Sequence, residues 1–98
     1  MLAYPRVDLS LDRLRRGGWA MGDSDERPPD LRLWLGDRLE AVSRGEGTTG
    51  ARRAWSFTFP VSAVAPDRIV RIEAVTERGA TKLLVAETLR PYLADASV

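Results

Sequence analysis

The residues with the clearest capacity to recognise a ligand are two tryptophans and the arginines near them. Arg32 and Trp34 lie in the segment LRLWL, and Trp19 follows the pair Arg15 and Arg16 in RRGGW. Tryptophan and arginine supply much of the binding energy at protein interfaces, and a tryptophan ring also stacks on sugars and bases. These residues are therefore our candidate binding residues, provided that the fold leaves them exposed.

Two residue types on which many catalytic and metal sites depend are missing. The 98 residues include neither histidine nor cysteine, which rules out a conventional Ser-His-Asp triad, a thiol nucleophile, a thiolate or imidazole zinc site and a disulfide. The glycine-rich and acidic segments match neither a phosphate-binding loop nor a calcium loop. We assign no catalytic residue, metal ligand or cofactor, and we expect a protein that is not an enzyme.

The charge balance does not favour nucleic acid as a ligand. Fifteen basic residues oppose fourteen acidic ones, for a net charge of +1, whereas nucleic-acid-binding domains usually carry a clear basic excess. All the basic residues except Lys82 are arginines, which reflects coding bias or thermal adaptation more than phosphate recognition. A phosphate site would require the fold to bring the pair Arg15-Arg16 close to the pair Arg52-Arg53.

Length and composition fit one globular domain, which we assign to residues 1–98. The chain is 44% apolar and 30% charged, as is usual for soluble domains and unlike disordered segments. No segment approaches the roughly 18 consecutive apolar residues that cross a bilayer, and the N-terminal residues do not resemble a signal peptide. We expect a cytoplasmic protein with no membrane partner.

The beginning of the chain alternates between apolar and polar residues. Val7, Leu9 and Leu11 recur at every second position, as in a half-buried strand. A short helix within residues 8–16 is the alternative, since Leu11 and Leu14 also fit helical spacing. We prefer the strand because a helix of about two turns is marginally stable.

In two segments the apolar residues do not recur at a regular spacing. Residues 17–30 contain three glycines and two prolines, so we expect Trp19 to lie in a long loop. Residues 43–53 are also rich in glycine and predict a flexible excursion between two strands.

Residues 31–42 predict a β-hairpin with a tight turn at residues 36–37. Three alternating leucines precede the turn and face the core, and Leu39 and Ala41 resume the pattern after it. The alternation places Arg32 and Trp34 on the opposite face. Their role in recognition therefore depends on whether another segment covers that face.

Aromatic rings occupy every second position of one later segment, at Trp55, Phe57 and Phe59. Alternate residues of a strand point to the same side, so the three rings share one face. A domain of this size has few other large side chains with which to fill its interior. We therefore predict that these rings form core rather than a ligand-binding surface.

The last segments predict a second hairpin. After a turn at residues 65–67, residues 68–75 alternate as a strand does, with Val70, Ile72 and Ala74 on one face. Residues 82–89 follow as its partner strand, with a short helix over residues 81–89 as the alternative. Glu73 and Glu87 could face one another across this hairpin, although ion pairing at the surface is the simpler role for both.

About six to seven short strands, separated by turns every eight to twelve residues or so, are typical of a small antiparallel β-sandwich or a partly open barrel. We predict this all-β fold, with room for one short helix. As function we predict a non-catalytic protein-protein interaction module, such as a small subunit of a larger assembly or a homo-oligomer. The alternatives are a carbohydrate-binding β-sandwich that uses an exposed tryptophan, and a phosphate or nucleic-acid binder that uses the arginine pairs.

Overall fold

The computed structural model describes residues 2–10, 13–60 and 64–90, and it confirms the all-β prediction. These residues form seven β-strands: β1 (Leu2–Ser10), β2 (Arg13–Met21), β3 (Asp30–Leu35), β4 (Arg38–Ser43), β5 (Arg53–Pro60), β6 (Val70–Val75) and β7 (Thr81–Glu87). No helix within the described residues is long and apolar enough to cross a membrane.

The strands form two open antiparallel sheets that pack as a β-sandwich. The smaller sheet has the order β1-β2-β5, and the larger sheet has the order β4-β3-β6-β7. Edge strand β1 lies near edge strand β7, and β5 lies near β4. The strands of the described residues leave both sheets open at their edges, so the fold is a sandwich and not a closed barrel.

The core lies between the sheets and is built from the alternating apolar residues of both. Trp55, Phe57 and Phe59 are only 4%, 8% and 7% exposed, which confirms that the aromatic segment belongs to the interior. The buried apolar residues form one cluster: Leu14, Ala20, Leu31, Leu33, Leu35, Trp55, Phe57, Phe59, Val64, Val70, Ile72, Ala74, Val85 and Leu89.

Strand β2 is longer than the sequence pattern predicted. The loop predicted for residues 17–30 is confirmed only for residues 22–29, because Gly17–Met21 continue β2. All five residues pair with β1, and Gly17 to Ala20 also pair with β5. A Cβ atom at Gly17 would lie 2.8 Å from the carbonyl oxygen of Trp55. Glycine here permits a close approach of β5 rather than a turn. Leu11 lies outside the described residues.

The second glycine-rich segment is tied to the loop that precedes β3. The Gly45 N–H donates to Asp30 Oδ1 at 2.7 Å, and the Gly50 N–H donates to the Glu26 carbonyl at 2.9 Å. A Cβ atom at Gly45 would lie 1.9 Å from the carbonyl oxygen of Pro28. The two loops therefore interlock at one end of the sandwich, and the predicted free excursion is anchored at these points.

Both predicted hairpins are present. Gly36, with φ of 63°, occupies the two-residue turn between β3 and β4. Thr81–Glu87 form strand β7 rather than a helix and pair with β6. For residues 8–16 the sequence favours a strand over a helix, and this is confirmed for residues 8–10 and 13–16, which the structure describes.

Candidate functional site

Trp34 lies on the outward side of the larger sheet, as the alternation in β3 predicted. Its neighbour across the strands is Arg71 of β6, whose guanidinium carbon lies 5.4 Å from the centroid of the indole ring. The indole Nε1 donates a hydrogen bond of 2.9 Å to Oε1 of Glu73. The half-buried ring is thus held by a cation–π contact and by one hydrogen bond, both from the adjacent strand.

Exposed apolar side chains surround Trp34 on this side of the sheet. Leu39, Val42 and Leu83 are 42%, 39% and 59% exposed. Leu39 pairs in register with Trp34, Val42 with Arg32, and Leu83 with Glu73, so all of them share one side. We call this surface the outer face, and its members are Arg32, Trp34, Leu39, Val42, Arg71, Glu73 and Leu83.

The outward position of Leu39 differs from the sequence prediction. A shift of the β3–β4 register between Leu33 and Trp34 places one extra residue in β4. The two-residue turn pairs Leu35 with Arg38 and therefore Trp34 with Leu39, which places Leu39 on the outward side. The bulge comes after Leu39 and lets Ala41, rather than Glu40, pair with Leu33 on the core side. A pattern read along one strand contains no sign of the bulge, because the bulge is a property of the pairing.

An open cleft of about 830 Å³ adjoins one end of the outer face. The turn before β4 and the loop before β6 form its walls, and the Gly36 N–H joins them by donating to the Ile69 carbonyl at 2.8 Å. The aliphatic part of Arg68 lies against the turn, since a Cβ atom at Gly36 would be 3.3 Å from its Cδ. The cleft is lined by Gly36, Asp37, Arg38, Asp67, Arg68, Ile69 and Arg71.

Several charges of the cleft are already paired. Arg90 Nε donates to Asp67 Oδ1 at 2.5 Å, and this hydrogen bond, aided by the positive charge of Arg90, lowers the pKa of Asp67. Arg38 is bonded to the carboxylate of Glu40. In the part of the chain that the structure describes, Arg68 has no carboxylate within ion-pair distance.

Trp19 lies on the smaller sheet, on its outward side, and not in a loop. It pairs in register with Tyr4 and Ala54, and the guanidinium carbon of Arg52 lies 4.9 Å from the centroid of its ring. The candidates Trp19 and Trp34 are therefore on opposite sides of the sandwich and do not form a common site.

The arginine pairs are divided between the two sides of the smaller sheet. Arg15 is exposed, whereas the side chain of Arg16 is 11% exposed and places its Nε 3.4 Å from Oε1 of Glu87. Arg52 stacks on the outward ring of Trp19, while Arg53 pairs in register with the buried Ala20. Each pair is therefore divided between the two sides of the sheet, and neither acts as one anionic-ligand patch.

The carboxylates of the last hairpin are also separated. Glu73 is on the outer face, whereas Glu87 pairs with the buried Val70 and contacts Arg16 between the sheets. They do not face one another as a catalytic carboxylate pair would. The described ranges contain no group of three or more acidic side chains placed to hold a metal ion.

The cleft around Arg68 was missed by sequence reasoning. Both of its walls were recognised as turns, one at residues 36–37 and one at residues 65–67. Their meeting depends on the pairing of β3 with β6, which places Leu35 opposite Val70. Comparison of the chain with protein-family models, curated proteins and solved structures finds no match.

Proposed function

We propose that the protein is a non-catalytic protein-protein interaction module that binds its partner through the outer face. The observation that carries the proposal is the exposed apolar group around Trp34, made of Leu39, Val42 and Leu83. Across the sheet Arg32 and Glu73 lie between Val42 and Leu83, so the outer face mixes apolar and charged side chains, as protein interfaces commonly do. Tryptophan and arginine at the centre of such a surface commonly supply most of its binding energy.

The fixed position of Trp34 supports the same proposal. Its Nε1 is satisfied by Glu73 and its ring is flanked by Arg71, so the side chain is held before a partner arrives. Binding then costs less conformational entropy than it would for a freely rotating ring. The satisfied Nε1 also leaves the apolar part of the indole as the surface offered to a partner.

The other two function classes have weaker support. A carbohydrate-binding site stacks a sugar on a ring face, and one face of Trp34 is taken by Arg71 and one face of Trp19 by Arg52. A nucleic-acid site built on the arginine pairs needs their guanidinium groups on one side, and Arg16 instead points between the sheets. The outer face supports contact with a protein better than either alternative.

Site-specific photo-crosslinking in the source cell tests the proposal. A benzophenone amino acid at position 83, on the outer face, should capture one predominant partner protein. The matched control carries the same amino acid at position 58, because Thr58 is exposed on the outward side of the smaller sheet. Equal capture at both positions, or capture at neither together with a monomeric mass by light scattering, would contradict the proposal.

A further inference from the structure

The cleft beside the outer face indicates the chemistry of the partner. We propose that the partner segment carries a carboxylate that binds Arg68 in the cleft, followed by apolar residues that cover Trp34. This inference rests on the proposed function and extends it from a contact surface to a class of ligand: an acidic and apolar polypeptide segment.

Arg68 is positioned to receive an anion. Its aliphatic part is supported by the turn at Gly36, and no carboxylate of the described residues lies within ion-pair distance of it. A guanidinium group offers a planar, forked set of donors that matches the two oxygens of a carboxylate. Support of the stem reduces the rotamer freedom that would be lost on binding.

Arg71 makes the cleft and the outer face one continuous surface. The same side chain lines the cleft and lies over the ring of Trp34. Ile69, which is 51% exposed, adds apolar surface within the cleft. A ligand that reaches from Arg68 to Trp34 therefore meets positive charge and apolar side chains in succession, which a segment with a carboxylate and neighbouring apolar residues complements.

The acidic members of the cleft favour a polypeptide over a nucleic acid. Asp37 and Asp67 line the cleft together with its three arginines, and Asp67 is held in place by Arg90. A strand of phosphates would bring several negative charges close to these carboxylates, whereas one carboxylate at Arg68 avoids them. The mixture of signs is typical of protein recognition rather than of a uniformly basic phosphate groove.

The test uses two short peptides and the intact protein. Acetyl-Leu-Glu-Leu-Glu-Leu-amide is the probe, and the peptide with Gln at both Glu positions is its neutral counterpart. NMR titration follows the Nε–H signal of Arg68 and the indole N–H signal of Trp34. We expect saturable shifts of both signals, and about tenfold weaker binding of the neutral peptide, as is expected when a charge-assisted hydrogen bond is lost.

Two arginine variants locate the contact. Arg68→Gln should weaken binding of the Glu peptide about tenfold without changing that of the Gln peptide. Arg13→Gln is the control, since Arg13 is an exposed arginine on the outward side of the smaller sheet and should leave both affinities unchanged. Equal affinity for the two peptides, no saturable shift at Arg68, or equal losses in the two variants would each overturn the inference.

The outcomes separate this inference from the proposed function. Capture of a partner at position 83, together with equal binding of the two peptides, would leave the interaction module in place and overturn the carboxylate contact. Binding of a thymidine decanucleotide at the same signals, more tightly than the Glu peptide, would overturn the polypeptide ligand in favour of nucleic acid. Selective binding of the Glu peptide without any capture at position 83 would retain the carboxylate site and contradict the proposed function.

Discussion

Trp34 and Glu73 are joined across two neighbouring strands by a hydrogen bond of 2.9 Å from the indole Nε1 to the carboxylate Oε1. The bond satisfies the polar atom of a large ring that remains half-buried on the outward side of a sheet. Trp55, in contrast, is 4% exposed in the core. The two rings should therefore differ in what they contribute to folding and to binding.

Trp55→Ala should lower the free energy of unfolding by about 3 to 5 kcal/mol, because it removes a ring from the core and leaves a cavity. Trp34→Ala should lower it by only about 1 to 2 kcal/mol, since a half-exposed ring and one hydrogen bond are lost. Urea unfolding followed by circular dichroism measures both values. A larger loss of unfolding free energy for Trp34→Ala than for Trp55→Ala would contradict the assignment of Trp55 to the core and of Trp34 to the outward side.

Much of this arrangement could be predicted because alternation is a local property. Arg32 and Trp34 had to point away from the leucines between which they lie, and the rings from Trp55 to Phe59 had to share one side. Trp19 could not be placed in the same way. The two glycines before it interrupt the alternation of apolar and polar residues. The neighbouring sequence also contains no sign that β5 approaches Gly17 closely.

The interlocked loops give a prediction about stability. Gly45→Ala should lower the free energy of unfolding by about 3 kcal/mol, because the new Cβ atom would lie 1.9 Å from the carbonyl oxygen of Pro28. The backbone of one loop would have to move. Glu46→Ala, at the adjacent exposed position, is the control and should change stability little. Similar unfolding midpoints for the two variants would show that the loops do not constrain each other.

Arg16 should act in folding rather than in binding. Its side chain is 11% exposed and lies near Glu87 between the sheets, so Arg16→Met removes this cation from the neighbourhood of the carboxylate. We expect a loss of about 2 to 3 kcal/mol of stability, with much of it recovered when Glu87→Met is added. Thermal unfolding of the single and double variants measures this coupling. A loss in the double variant equal to the sum of the two single losses would exclude the coupling.

Acid pH should weaken the contact between Asp67 and Arg90. The hydrogen bond from Arg90 lowers the pKa of Asp67 in the folded protein. A depressed folded pKa stabilises the protein above the unfolded pKa, and this contribution is lost as the pH falls through the folded pKa. The Asp67 carboxyl carbon, followed by NMR, should titrate at a higher pH in Arg90→Gln than in the wild type. An unchanged midpoint would show that the pair does not persist in solution.

The central claim is tested most directly by an affinity measurement. It asks how tightly the partner captured at position 83 binds a variant with a charge on the outer face. Leu83 is 59% exposed, so Leu83→Glu should leave folding intact while it places an acidic group on the surface that we assign to an acidic and apolar partner. The expected result is binding weakened by about tenfold or more, with Thr58→Glu on the opposite side binding as the wild type does. Undiminished binding by Leu83→Glu would contradict the account.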